Sequence, residues 1–149
     1  MDKFISNKKL TSMLSDPSLL REKAFIAGEW VSSTNNKTFA VRNPATLEVI
    51  SNVPNLGLNE TRQSINAAYE AQKLWSSKTG KERSSILKAF YNLMMENAED
   101  LGKIITAEMG KPLAEAIGEI TYGASFIEFF AEEAKRIYGE TIPGHQADK

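Results

Sequence analysis

A chain of 149 residues is long enough to bury one core but too short for the two or three domains of a large enzyme. Its 18 basic and 19 acidic residues leave a formal net charge of -1, which argues against nucleic acid or an anionic membrane surface as a partner. Cysteine is absent, which excludes a disulfide framework, a thiolate metal site and a cysteine nucleophile within these residues.

The N-terminal run MDKFISNKKLTSMLSDPSLLREKAFIAGEW carries basic residues but no apolar stretch of about 7–15 residues that would serve as a signal-peptide core, so a cytoplasmic location is expected. SDPSLLREKAF reads as a short helix, with Asp16 as its N-cap and Pro17 at the first position, where a missing N–H costs nothing. FIAGEWV, TFAVRNPA and EVISNVP then gather β-branched and aromatic residues around turn formers. They predict two or three short antiparallel strands in one small sheet, ending at Pro54.

From Asn59 the apolar period moves from two toward 3.6, and three substantial helices are expected. The first is capped by Asn59 and repeats Ile65, Ala68, Gln72 and Trp75; Lys78-Thr79-Gly80 ends it. The second keeps one stripe from Ile86 through Phe90, Leu93, Met94, Leu101, Ile104 and Ile105, and stops at Gly110 with Pro112 beyond. A third, from Pro112 or Leu113, carries Ala116, Ile117, Ile120, Ala124, Ile127, Ala131 and Ala134 on one face and Tyr122, Phe126, Phe129 and Phe130 beside it. Two apolar stripes call for two neighbouring surfaces, more than this chain supplies. The helix cannot span lipid cheaply, because Glu128, Glu132 and Glu133 interrupt it.

No residue pattern makes a credible active site. Gly110-Lys111-Pro112 lacks the glycine five residues upstream that a phosphate loop needs, and Pro112 stands where a magnesium-binding Ser or Thr belongs, so the step reads as a helix hinge. Glu115 and Glu119, one turn apart, together with Glu108, form a carboxylate cluster that suits acid–base or metal chemistry but suits a solvated face paired with Lys111 better. The single histidine, His145, lies in a polar tail whose only nearby carboxylate on that side is Asp148. Ser125 sits in a helix interior rather than at a nucleophile elbow, and no G-x-G-x-x-G occurs.

The segment from Phe25 to Lys149 nonetheless resembles the N-terminal part of the aldehyde dehydrogenase superfamily. FIAGEWV with VRNPATLEVI, and then AAYEAQKLWSSKTGKERSSILKAFYNLMMENAEDLGKIITAEMGKPLAEAIGEI, carry the resemblance. Within that superfamily, GEITYGASFIEFFAEEAKRIYGETIPGHQADK is most similar to the bacterial succinate-semialdehyde dehydrogenases. The resemblance implies an α/β fold, of which this chain holds a small N-terminal β-hairpin or sheet and three helices as an incomplete piece of the cofactor-binding domain. Residues 1–24 are an arm with a short helix, 25–139 the domain segment, and 140–149 the start of a link to an oligomerisation hairpin.

The resemblance further implies a small aldehyde substrate, NAD or NADP as cofactor, and a homo-oligomer for the complete enzyme. Family chemistry uses a cysteine thiolate to attack the aldehyde and a glutamate to activate water. Neither group is found here at a matching motif, so the chain is expected to be an N-terminal fragment, inactive alone, with no catalytic residue and no cofactor-binding residue of its own. Two contributions carry over. Tyr122, Gly123 and Phe126 match a wall of the aldehyde entry tunnel, and Glu108 with the carbonyls of Val41 and Arg42 matches a monovalent-cation site. The alternative is a non-enzymatic helical scaffold remnant or interaction module.

Overall fold

The computed structural model describes residues 10–147, so the first nine residues of the arm, and Asp148 with Lys149, lie outside the described residues. A helical turn at Leu10 leads to a single 3-10 turn, Pro17–Leu19, shorter than the helix that SDPSLLREKAF suggests. The capping chemistry is as expected: Asp16 accepts the Ser18 N–H at 2.9 Å, and Pro17 opens the turn.

Strands β1 (Ala24–Ile26) and β2 (Glu29–Val31) pair antiparallel around Ala27-Gly28, both at positive φ, as a two-residue hairpin turn requires. The Phe25 and Trp30 rings face each other at 5.1 Å, and the Arg21 guanidinium lies 5.0 Å over the Trp30 ring. Strands β3 (Thr38–Arg42) and β4 (Val49–Pro54) form a second antiparallel pair, with an irregularity between Val41 and Arg42. The expected single sheet is thus two two-stranded sheets. The Ser33 hydroxyl bonds to the Lys37 carbonyl at 2.7 Å and folds the linking turn, and no ladder joins the two pairs.

Among the described residues four helices follow. Helix α1 (Leu58–Ser77) starts before the expected cap Asn59, because Gly57 is its N-cap and Glu60 reaches back to the Gly57 N–H at 3.0 Å. Thr79 and Glu82 cap α2 (Gly80–Glu96) reciprocally, at 3.2 Å and 2.7 Å. The six-turn helix expected from Ile86 to Ile105 is two helices, a correction with a local cause. Asn97 leaves helical geometry at φ -107 and ψ 14, and its side-chain amide donates to the Leu93 carbonyl at 2.8 Å. Helix α3 (Ala98–Met109) then ends at Gly110, left-handed at φ 78, and α4 (Leu113–Glu133) begins just after Pro112.

Helix α4 is the centre of the helical layer and packs against both α2 and α3. Ala116, Ala124 and Ala131 are fully buried along it. A Cβ on Gly102 would lie 2.6 Å from Ile117 Cγ1, so α3 approaches α4 through a missing side chain. The apolar cluster that joins the β3–β4 sheet to α3 contains Leu10, Leu14 and Ile50, flanked by Leu20, Val41, Ile104 and Ala107.

Much apolar surface stays open. The accessible area is 11203 Å², against roughly 7,500 Å² for a folded monomer of this mass. Ile65, Tyr69 and Leu74 of α1 are exposed, as are Phe90 and Leu93 of α2 and the aromatic side of α4. Among the described residues no helix is long and apolar enough to cross a membrane.

Candidate functional site

The Gly110-Lys111-Pro112 step behaves as a hinge. The Gly110 N–H bonds back to the Thr106 carbonyl at 2.9 Å, which closes α3, and Lys111 is ion-paired to Glu119 across the turn. The lysine is therefore held by a carboxylate, and the salt-bridged surface expected for Glu119 is present. Glu115 is exposed on the same helix. Among the described residues no three His, Asp or Glu side chains gather where they could hold a metal ion. His145 is exposed in the irregular tail, and the Ser125 hydroxyl donates to the Tyr122 carbonyl at 2.7 Å inside α4.

The tunnel-wall candidates lie on one side of α4. Tyr122 and Phe126, one turn apart, meet edge to face at 4.9 Å and are 67% and 48% exposed. A Cβ on Gly123 would meet nothing within 4 Å, so the surface beside the two rings is open. Phe129 and Phe130 extend the apolar side toward the helix end, their rings 5.3 Å apart.

The cation-site candidates come from two segments that the fold brings to one corner. Val41 packs in the cluster that includes Ala107, next to Glu108, and a Cβ on Gly110 would stand 3.0 Å from Pro44 Cγ. Glu108 is exposed in the last turn of α3, where partial loss of water pushes its carboxyl above the usual range. Among the described residues it forms no ion pair. The Arg42 guanidinium turns away to the Leu47 carbonyl at 3.0 Å. Backbone carbonyls and a carboxylate are hard oxygen donors.

Two buried carboxylates escaped the sequence reading. Glu60, 6% exposed, takes the Thr34 N–H at 2.9 Å and the Thr34 hydroxyl on one oxygen, and the Gly57 N–H on the other. These bonds, those from Thr34 foremost, hold its carboxyl down to about 2. Its position three residues after a helix cap was the available signal. Asp100 accepts the Asp16 N–H at 2.8 Å and the Lys103 ammonium at 3.1 Å, and the first of these contributes most to keeping it ionised. No local pattern announces a bond across 84 residues.

A cleft of about 230 Å³ opens between the arm, the β3–β4 turn and α3, lined by Met13, Asn43, Glu48, Lys103, Thr106 and Leu113 among others. Among the described residues the Thr106 hydroxyl, buried there, has no hydrogen-bond partner.

Comparison with known proteins places these features in context. Residues 30–149 match the aldehyde dehydrogenase family. The chain is 57% identical, over 136 residues, to a glutarate-semialdehyde dehydrogenase of Pseudomonas putida, and 54% identical to an NADP-dependent succinate-semialdehyde dehydrogenase of Escherichia coli. Each comparison covers 91% of this chain and 28% of the relative, so the chain spans little more than a quarter of their length. The crystal structure of an NADP-dependent enzyme from Escherichia coli superimposes with a TM-score of 0.88 at 54% identity, over 91% of this chain and 28% of that one.

Proposed function

Because the chain belongs to the aldehyde dehydrogenase family, we propose that it is the N-terminal scaffold of a semialdehyde dehydrogenase that oxidises succinate semialdehyde to succinate with NAD or NADP. The observation that carries this reading is identity above one half, across 91% of the chain, to enzymes named for the four- and five-carbon semialdehydes. Residues 25–139 form the segment within the cofactor-binding domain, residues 1–24 its arm, and residues 140–149 a link toward the part that assembles the homo-oligomer. A cytoplasmic location belongs to the same reading.

The part these residues play follows from their chemistry. They contain no thiol, so the nucleophile that attacks the aldehyde is not among them. The nicotinamide cofactor supplies hydride acceptance when bound, and the open aromatic side of α4 supports a role away from that step. Tyr122 and Phe126, with Gly123 between them, offer an apolar wall past which a short aldehyde can slide while water is held back. Glu108 and the Val41 and Arg42 carbonyls would hold a monovalent cation, whose charge would fix the β3–β4 turn against the α3 end.

The test is to read the coding DNA past Lys149 and to assay the polypeptide it specifies, with succinate and glutarate semialdehydes and with either dinucleotide. Reduction of NAD or NADP with the four-carbon substrate preferred is expected, while the 149 residues alone give none. A stop codon with no complementary gene, or inertness toward both semialdehydes, rejects this reading.

The absence of any thiol supports a second reading, a scaffold remnant or interaction module without enzymatic activity. An adapted module would carry polar replacements on its open faces. Phe126, Phe129, Phe130 and Ile137 are still apolar and exposed, which favours the dehydrogenase scaffold.

A further inference from the structure

The arm precedes the family-matched segment 30–149, yet it completes the cluster that joins sheet to helix. Leu10 and Leu14, each 7% exposed, close over Ile50 of β4 and rest against Ile104 and Ala107 of α3. Met13, between them in sequence, is exposed at the cleft. Two residues after Leu14, the Asp16 N–H reaches the buried Asp100 carboxylate in the first turn of α3. At the opposite end of α3, Gly110 sits against Pro44 of the β3–β4 turn. Helix α3 therefore touches the arm at its start, the arm and β4 through its middle, and the turn at its end.

We propose that residues 10–16 are a strap: they fasten the β3–β4 hairpin onto α3 and form the third wall of the cleft in which the Thr106 hydroxyl is buried. Its hold includes two leucines and a charge-assisted N–H···O bond, and none of these belongs to the α2–α4 contact. The strap can open, and the hairpin with it, while that helix pair stays closed. This inference does not depend on the catalytic reading.

Amide hydrogen exchange on the full 149-residue chain tests it, comparing the native sequence with Leu10→Ala/Leu14→Ala and with Asp100→Asn. In the double variant, exchange should speed up about tenfold or more at Asp16, in β4 and along α3, while the facing amides of α2 and α4 change by less than about twofold. Acceleration confined to residues 10–20 overturns the proposal, because the arm would then merely ride on a finished body. Equal acceleration in every helix overturns it too, because the arm would then add only general stability. If the double variant does not fold, Asp100→Asn decides, since it leaves the apolar anchors in place. Faster exchange in the same three segments supports the strap, and no change outside the arm rejects it.

Discussion

Glu60 keeps a charge where little solvent reaches it, because Thr34 and Gly57 offer it three hydrogen-bond donors. Its folded value near 2 lies below the ordinary 4.5, so the unfolded chain takes up its proton first as acid is added. The stability it contributes is complete above the ordinary value and is lost as pH falls from there through about 2. Melting temperatures of native and Glu60→Gln chains should thus differ by a constant amount at neutral pH and converge between those two values; a gap that widens in acid would refute the assignment. Gly110 shows a different single-residue demand. At φ 78, with Pro44 against its open side, Gly110→Ala should cost about 1–2 kcal/mol, read from denaturant midpoints.

At the level of elements, glycine separates helices that must touch from those that need not. Gly102→Ala drives a methyl group into Ile117 and should destabilise by about 1–3 kcal/mol. Gly118→Ala, in the interior of α4 with nothing within 4 Å, should stabilise by up to about 1 kcal/mol. Equal effects at the two sites, measured by thermal melting, would contradict the close α3–α4 approach. Element ends were legible in the sequence where their chemistry is short-range: Asp16-Pro17, the break at Lys78-Thr79-Gly80, and Gly110 with Pro112 all act within a few residues. The break at Asn97 was not, because the apolar period runs on through it and the interruption lies in one residue's dihedral angles. Strand pairing into two sheets, and the Glu60–Thr34 and Asp16–Asp100 bonds, join residues that no window of sequence contains. The tunnel-wall and cation-site residues came from family resemblance, since an exposed aromatic pair and a lone carboxylate have no signature of their own.

For the whole molecule, open apolar area outweighs everything else. Burial of only small side chains along α4, with aromatic and aliphatic groups of α1, α2 and α4 left in water, predicts a chain that binds a hydrophobic dye, melts broadly and aggregates. A sharp, reversible, monomeric transition without dye binding would contradict that. The file of alanines down α4 has a consequence for this exposed side. Methyl groups have no rotamers, so along this file the helix seats without side-chain rearrangement, and Ile117 beside Gly102 is the contact that can adjust. Tyr122 and Phe126 therefore ride on a helix whose inner file has one shape, and whatever meets them meets two rings set one turn apart.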